Sequence, residues 1–227
     1  MIIKKWEDLP DKLKNTDVRK YHEYLSQKKG SLVIKRLFDI VLSAVLLVLL
    51  SPVMLLLALM IKIDSPGNVF FKQIRITQYG REFYIYKFRT MIQDADKVGA
   101  KVTILNDNRI TKIGNLIRKC RLDELPQLIN VLKGEMTFVG TRPEVKKYVE
   151  AYNNEMLATL LLPAGITSRC SVEYKDEDEL LSDSKDVDKT YIEVILPEKM
   201  KINLNSLLKF SLLEEIKIMF ATVKAVL

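Results

Sequence analysis

An apolar segment of 25 residues, Leu37 to Ile61, constrains the fold of this chain more than any other feature of its sequence. It contains a single charge, Asp39, within a chain of 227 residues. As a helix it would extend about 38 Å, enough to cross a hydrocarbon layer of about 30 Å. The segment is not typical of a signal peptide, because it begins late and no small-residue cleavage site follows it. It therefore predicts association with a membrane.

Two residues within the segment, Ser51 and Pro52, predict a break in the helix. Proline removes a backbone hydrogen bond and clashes with the preceding turn, so we expect a kink, and the Ser51 hydroxyl can satisfy a freed carbonyl. Basic residues flank both ends: Lys28, Lys29, Lys35 and Arg36 before it, and Lys62, Lys72, Arg75 and Arg81 after it. A spanning helix should show a basic asymmetry instead. The sequence thus favours a re-entrant helix, residues 31–61, over a spanning helix or a buried soluble one. Asp39 is expected to pair with Arg36 on the helix surface.

The composition narrows the possible chemistry. The net charge of +7 suits an anionic partner, whether phospholipid, nucleic acid or a phosphorylated substrate. His22 is the only histidine, which excludes His-based metal sites, Ser-His-Asp triads and Cys-His dyads. Cys120 and Cys170 form no metal or redox motif and are expected to be free thiols in a reducing compartment. Acid–base chemistry must therefore come from carboxylates, lysine or tyrosine.

The rest of the chain predicts an α+β fold: a small mixed domain of mostly helices with a short β-hairpin, anchored by the broken re-entrant helix and by interfacial amphipathic helices. The predicted strands are Val69 to Ile76 and Glu82 to Phe88, split by Tyr79-Gly80, and a third follows the turn at 163–167. Helices are predicted at 110–119, 126–134, 144–161, 191–201 and 207–226. The last of these either completes the core or lies in the membrane interface. Residues 92–108 are expected to form a loop over the site, and 173–179 a solvated acidic segment.

An adjacent acid pair, Asp123-Glu124, is the most informative chemical feature of the chain. It is flanked by arginines on both sides: Arg118, Arg121 and Arg142. A short apolar helix is expected to follow, because Pro is tolerated in a first helical turn and Gly commonly follows a last one. Carboxylates and arginines at a helix N-terminus suggest phosphate chemistry, with simple helix capping as the alternative.

Two basic residues on the second predicted strand, Lys87 and Arg89, lie two positions apart. On a strand they would share one face, an arrangement that suits a phosphate or a diphosphate. The alternative is a solvated edge strand that carries lysine.

Six ordered sequence blocks carry a resemblance to a known family. They are Lys35-Arg36-Leu37-Phe38-Asp39, Ser51-Pro52, Tyr86-Lys87-Phe88-Arg89-Thr90-Met91, Leu122-Asp123-Glu124-Leu125-Pro126-Gln127, Asn130-Val131-Leu132-Lys133-Gly134-Glu135-Met136 and Gly140-Thr141-Arg142-Pro143. Over residues 31–225 the chain resembles the bacterial sugar transferases called monotopic phosphoglycosyl transferases. The resemblance implies transfer of a sugar 1-phosphate from a UDP-sugar to a polyprenyl phosphate, with release of UMP, at the cytoplasmic face of the bacterial inner membrane.

The resemblance also implies roles for individual residues. Asp123 would be the nucleophile that forms a phosphosugar ester and would hold Mg²⁺, Glu124 would assist, and Arg142 would contact phosphate. Together with the residues above, the expected phosphate-binding set is Lys87, Arg89, Arg118 and Arg142. The expected organisation is a polar leader (1–30), the re-entrant helix (31–61) and a cytosolic catalytic domain (62–227).

Two other classes of function compete with a transferase. A membrane-tethered binding or scaffold protein of the same fold would not need the retained Asp123, Glu124, Lys87, Arg118 and Arg142. A basic nucleic-acid binder would not explain the apolar segment, and no nucleic-acid motif is recognisable. The expected partners are therefore a UDP-sugar, a polyprenyl phosphate and membrane lipids, without nucleic acid. Association with a second copy is left open.

Overall fold

One long helix and two small sheets organise the chain. The structure, a computed structural model, describes residues 3–95, 108–174 and 186–226. The α-helices are α1 (Thr16–Gln27), α2 (Lys29–Asp64), α3 (Lys112–Lys119), α4 (Gln127–Lys133), α5 (Lys146–Val149), α6 (Arg169–Glu173), α7 (Val187–Thr190), α8 (Leu196–Leu208) and α9 (Leu212–Val226). The strands are β1 (Phe70–Ile76), β2 (Glu82–Phe88), β3 (Met136–Val139) and β4 (Ala164–Thr167). Short 3₁₀ helices lie at Trp6–Asp8, Asp11–Leu13, Gln78–Gly80, Leu122–Glu124 and Met156–Leu161, and a π-helical turn, Tyr191–Ile195, joins α7 to α8.

The apolar segment forms the greater part of α2. Its most apolar 18-residue window has a mean hydropathy of 2.9, and only 11% of that window is buried, so by length and composition it could cross a membrane. The structure has one helix here and not two halves. Pro52 lacks the N–H that would bond the carbonyl of Val48, and the Ser51 hydroxyl donates to that carbonyl at 2.8 Å. The interruption expected at Ser51-Pro52 is therefore absent from the helix, and the Ser51 hydroxyl bonds the carbonyl that Pro52 leaves without its helical partner.

Both ends of α2 pack against the same domain. Near its start, Leu32 is fully buried in a cluster that includes Leu161 and Leu204. Near its end, Leu57 and Ile61 are buried in a second cluster that includes Phe88 and Ile117. Between them, one face of the helix lies partly buried against the core around β2, α4 and β3, through Leu42, Leu46, Leu47 and Leu50. The opposite face stays exposed along the length of the helix.

The ion pair expected between Arg36 and Asp39 is wrong. Asp39 is 1% exposed and accepts hydrogen bonds from Thr137 Oγ1 at 2.7 Å and from the Phe138 amide at 3.3 Å. Arg36 instead donates to the carbonyls of Val131 and Leu132, at 2.7 and 2.9 Å. These carbonyls belong to the last turn of α4, where a basic side chain is favourable, and the Val131 carbonyl also accepts from the Gly134 amide at 3.0 Å. Asp39 and Arg36 therefore attach α2 to two different elements of the domain.

The N-terminal residues form part of the largest core cluster. Its leader residues are Ile3, Leu9, Leu13, Val18, Tyr21 and Leu25, packed against the segment around Leu161 and against α8. The Asn15 side chain caps α1 by accepting from the Val18 amide at 2.9 Å. The one histidine, His22, is buried and contacts the Lys4 carbonyl through Nε2 at 2.9 Å.

The predicted β-hairpin is confirmed. β1 pairs antiparallel with β2, with Phe71 opposite Lys87 and Arg75 opposite Phe83. Since side chains alternate between faces along a strand, Arg75 and Lys87 point to the same side of the hairpin. The turn expected at 163–167 is wrong: these residues themselves form β4, Ala164–Thr167, and a helix follows them. β4 pairs in parallel with β3, a strand that was not predicted.

Two predicted helices are divided in the structure, and the helix expected over 191–201 begins as the π-helical turn and continues as α8 to Leu208. The helix expected over 144–161 is wrong: α5 ends at Val149, and a 3₁₀ helix follows at Met156–Leu161. The Asn153 side chain accepts from the Met156 amide at 2.9 Å and so starts the second element separately. The helix expected over 207–226 is also divided, because Ser211 accepts from the Glu214 amide at 3.2 Å and begins α9.

The last helix completes the core on one face only. Ile218 of α9 is buried in the core, whereas Leu213, Phe220 and Val223 are 72%, 73% and 57% exposed. α9 therefore has one face in the core and one apolar face outside it. Most of the loop expected at 92–108, and residues 175–179 of the expected acidic segment, lie outside the described residues.

Candidate active site

The acid pair lies in the 3₁₀ turn Leu122–Glu124, between α3 and α4. Arg121, just before this turn, has a φ of 51°, a left-handed conformation that is uncommon for residues other than glycine. α4 begins after Pro126 with no side-chain cap, and it ends at Gly134, whose φ of 83° suits glycine. The predicted helix is therefore confirmed, and neither carboxylate caps it.

Glu124 lies between two cations. Lys87 Nζ is 3.2 Å from Glu124 Oε1, and Arg142 donates through Nη1 to Oε2 at 3.4 Å and through Nη2 to Oε1. Burial alone would raise the pKa of Glu124, but the charges of Arg142 and Lys87 outweigh it and hold the pKa well below its usual range. Glu124 in turn raises the pKa of Arg142. Burial lowers the pKa of Lys87, and the charge of Glu124 opposes this. Glu124 and Arg142 thus form a charged pair at neutral pH, and Glu124 holds both basic side chains beside Asp123.

Asp123 differs from its neighbour. It is partly buried, and no hydrogen bond to its carboxylate is present among the described residues. Burial raises the pKa of Asp123, and the charge of Glu124 adds to the rise, while Lys87, Arg118 and Arg142 oppose it. A carboxylate near several cations, but bonded to none of them, keeps its oxygen lone pairs available to a ligand.

The segment that carries Arg142 is held from both sides. The Gly140 amide donates to the Thr167 carbonyl, and the Gly165 amide donates to the Thr141 carbonyl, each at 2.9 Å. On the other side, Arg75 Nη1 donates to the Pro143 carbonyl at 3.1 Å. Backbone hydrogen bonds on both sides of Arg142 thus fix where its guanidinium enters the site.

Arg75 is absent from the predicted site residues, although its charge acts on both Arg142 and Lys87. The strand pairing shows that Arg75 and Lys87 share a face, and this register cannot be read from either strand alone. The sequence does indicate that Gln73 and Arg75 lie on one face, because alternate residues on a strand point the same way.

Arg89 and Arg118 have different surroundings. Arg89 is 7% exposed and donates to the Ser65 carbonyl at 2.7 Å and to the Pro66 carbonyl at 2.8 Å, so it holds the turn between α2 and β1. We therefore remove Arg89 from the candidate site. β2 ends at Phe88, and the guanidinium satisfies backbone carbonyls that the tight turn leaves unpaired. Arg118, in the last turn of α3, is partly buried, and its charge lowers the pKa of Asp123.

No group of three metal-ligating side chains is present within the described residues. This does not conflict with the chemistry expected of Mg²⁺, which commonly uses one or two carboxylates together with phosphate oxygens of a substrate. Glu124 is engaged by two cations, whereas Asp123 is available as a single carboxylate donor. The residues present thus fit a metal that is held jointly by Asp123 and a bound diphosphate.

The chain belongs to the bacterial sugar transferase family, whose sequence model matches residues 30–227. It is 36% identical over 196 residues to the UDP-glucose:undecaprenyl-phosphate glucose-1-phosphate transferase of Escherichia coli K12, covering 84% of this chain and 39% of that protein. It is 46% identical over 123 residues to the UDP-N-acetylgalactosamine-undecaprenyl-phosphate N-acetylgalactosaminephosphotransferase of Aeromonas hydrophila, covering 54% and 29%. It is 50% identical over 112 residues to the exopolysaccharide production protein PSS of Rhizobium leguminosarum, covering 49% and 56%.

These comparisons confirm the resemblance seen in the sequence blocks. The chain spans less than half the length of the Escherichia coli and Aeromonas relatives. Residues 1–29 lie outside the family match, yet residues 3–28 are part of the described fold.

Proposed function

We propose that this protein transfers a sugar 1-phosphate from a UDP-sugar to a polyprenyl phosphate, giving a polyprenyl diphosphosugar and UMP, and so initiates assembly of a bacterial glycan. The observation that carries the proposal is the contrast within the acid pair: Glu124 holds Lys87 and Arg142 in place, and Asp123 remains available beside them. The names of the Escherichia coli and Aeromonas relatives describe transfer of a sugar phosphate to undecaprenyl phosphate, which supports the same reaction type.

The reaction proceeds in two displacements at one phosphorus. An oxygen of the Asp123 carboxylate attacks the phosphorus that bears the sugar, and the bond to the bridging oxygen breaks, so UMP leaves with that oxygen. An oxygen of the polyprenyl phosphate then attacks the same phosphorus and displaces the Asp123 carboxylate. Lys87 and Arg142 stabilise the negative charge that develops on the phosphoryl oxygens, and Glu124 keeps both cations in position.

Mg²⁺ would be held by Asp123 and by phosphate oxygens of the substrate. When bound it supplies neutralisation of the diphosphate charge. The cations of the site act in the same direction: Lys87, Arg118 and Arg142 lie around Asp123, and Glu124 is the negative charge that works against them. Because the positive charges around Asp123 outnumber the negative ones, the site suits a dianionic substrate group.

The arrangement in the membrane is proposed to be re-entrant, with the catalytic domain on the cytoplasmic face of the inner membrane. Both ends of α2 contact the same domain, through Leu32 at the start and Ile61 at the end, which supports a helix whose ends lie on one side. The exposed face of α2 and the apolar face of α9 would contact lipid. Nucleotide sugars are cytosolic substrates, which requires the site to face that side.

The activity is tested by release of UMP from a panel of UDP-sugars, with the purified protein in detergent, with and without polyprenyl phosphate. Without acceptor, we expect at most one equivalent of UMP and a protein mass increased by one sugar phosphate; with acceptor, we expect turnover. A scaffold protein or a nucleic-acid binder would release no UMP. Continuous release that depends on the acceptor, but without any covalent intermediate, would refute the two-step mechanism alone.

The topology is tested by single cysteines at Lys12 and Lys146 in a background that lacks Cys120 and Cys170. Both positions are exposed in the structure. A membrane-impermeant thiol reagent should label neither position in intact cells and both after lysis. Labelling of the Lys12→Cys variant alone in intact cells would show a spanning helix.

A further inference from the structure

Arg75 is a partly buried cation whose polar contacts, within the described part of the chain, do not include a carboxylate at ion-pair distance. Its guanidinium donates through Nε and Nη2 to Gln73 Oε1, at 3.0 and 2.7 Å, and through Nη1 to the Pro143 carbonyl, at 3.1 Å. Burial lowers the pKa of Arg75, and the charge of Glu144 opposes this. Glu144 itself accepts a hydrogen bond from Tyr191 at 2.5 Å and lies 3.6 Å from Lys199.

The other cations beside the acid pair are compensated or more open. Lys87 and Arg142 both contact Glu124. Arg118 lies at the end of α3, where the helix dipole favours a positive charge. Among the described residues, Arg75 hydrogen-bonds only to neutral oxygens. Because a buried charge without a counterion is costly, an anionic ligand would gain most from this side chain.

The position of Arg75 indicates which anion it would meet. Arg75 and Lys87 share a face of the hairpin, and Arg75 contacts the residue that follows Arg142. The substrate of the proposed reaction carries a second phosphate next to the phosphorus that Asp123 attacks. At this end of β1, the Ile76 amide donates to the Glu144 carbonyl at 3.0 Å, and the Gln78 side chain donates to the Leu161 carbonyl at 2.9 Å, so the hairpin is held against the domain beside the segment that carries Arg142.

We propose that Arg75, oriented by Gln73, binds the nucleotide phosphate of the UDP-sugar, the group that leaves as UMP. The inference rests on the proposed function. The acceptor polyprenyl phosphate is a less suitable occupant, because it arrives from the lipid side, along α2. The guanidinium has further N–H groups beyond its three described contacts, and these can bond two phosphate oxygens at once.

The test measures binding of UMP and of uridine to the full-length protein in detergent, by titration calorimetry, for wild type and for Arg75→Gln. We expect the substitution to weaken UMP binding roughly tenfold or more and to leave uridine binding unchanged, because only UMP carries the phosphate. The matched control is Arg81→Gln, an exposed arginine on the same hairpin, which should bind both ligands as wild type does.

A second variant keeps the proposal testable if Arg75→Gln does not fold. Gln73→Met keeps the positive charge and removes the oxygen that orients the guanidinium, so we expect UMP binding to weaken by a smaller factor than in Arg75→Gln. UMP affinity equal to wild type in both variants, with a lowered kcat, would show that Arg75 only positions Arg142 and would overturn the proposal. Absence of UMP binding to the wild-type protein would overturn it as well.

Failure of the proposed function has a different signature. If UMP binding depends on Arg75 but no UDP-sugar gives acceptor-dependent UMP release, the transferase activity is wrong and the nucleotide phosphate site stands. If UMP release is robust and UMP affinity does not depend on Arg75, the transferase activity stands and the role of Arg75 is wrong.

Discussion

Two groups of buried charged residues in this molecule differ in whether the protein itself supplies the partners of each charge. The anchor cluster, Lys35, Asp39 and Glu215, joins α2 to β3 and α9. There, Lys35 contacts Glu215 and the Val139 carbonyl, and Asp39 accepts from Thr137 and Phe138. In the candidate active site, by contrast, Glu124 is fully engaged, while Asp123 has no hydrogen bond among the described residues and Arg75 has only neutral partners.

The difference separates stability from function. A buried charge whose partners are all supplied by the protein specifies one packing arrangement, and removing one partner leaves the others unsatisfied. A charge whose partners are missing is retained at a cost that a ligand can offset. The anchor cluster should therefore respond to mutation in stability, and the candidate active site in catalysis and binding.

The largest expected effect is the loss of turnover in Asp123→Asn. The substitution keeps the size of the side chain and removes the charge that attacks phosphorus, so acceptor-dependent UMP release should fall by roughly a hundredfold or more. The melting temperature in detergent should stay at or above that of wild type, because the Asp123 carboxylate makes no hydrogen bond to any of the described residues. Activity above about a hundredth of wild type would refute the nucleophile assignment.

Removal of divalent metal should give a comparable loss that is reversible. EDTA should stop UMP release, and added Mg²⁺ should restore it, because the diphosphate brings further negative charge to a site that already contains two carboxylates. The melting temperature of the ligand-free protein should not change with EDTA, since the anchor cluster contains no metal-ligand group of three. Full activity in EDTA would count against metal dependence.

The anchor cluster should give the largest effect on stability. Asp39→Ala leaves the Thr137 hydroxyl and the Phe138 amide without their acceptor, and should cost about 2–4 kcal/mol of unfolding free energy. Ser43→Ala is the matched control: Ser43 is also fully buried on α2, but it bonds only the Ile40 carbonyl of its own helix. Thermal unfolding in detergent measures both. Equal stability of the two variants would contradict the role of Asp39, as would loss of activity without loss of stability.

The two groups also differ in how far they follow from the sequence. The active-site residues belong to short sequence blocks whose residue types indicate phosphate chemistry: Lys87, Asp123, Glu124 and Arg142. The partners of Asp39 cannot be recognised in this way, because Thr137 is 98 residues away and is found only once β3 is placed beside α2. Arg89 has the same chemistry as Arg75, and only the fold decides that Arg89 holds a turn.

Local structure was predictable where it depends on local signals. The hairpin, α4 and its terminal Gly134 followed from β-branched residues and from helix-ending glycine. The division of the helix expected over 144–161 was not predictable, because the apolar pattern continues across Asn153. The Asn153 side chain accepts a hydrogen bond from the Met156 amide and starts a separate element there. β3 was missed because four residues give too short a pattern, and its pairing with β4 is non-local.

The smallest expected effect concerns the pH dependence of Asp123. Its pKa is raised above the ordinary 3.8, so the nucleophile loses its charge as pH falls through a value higher than that of an exposed aspartate. The acid limb of kcat/KM should therefore lie above the ordinary aspartate range. Arg118 lowers the pKa of Asp123, so Arg118→Gln should move the acid limb to higher pH.

The control for this shift is Lys112→Gln, which removes an exposed cation in the first turn of the same helix; the main charges that shift the pKa of Asp123 are those of Lys87, Glu124, Arg118 and Arg142. It should leave the acid limb where it is in wild type. An acid limb that stays fixed or moves down in Arg118→Gln would mean that another group controls it. The contrast between the two groups of charge would then be wrong for Asp123, because its carboxylate would not be the group whose protonation limits activity at low pH.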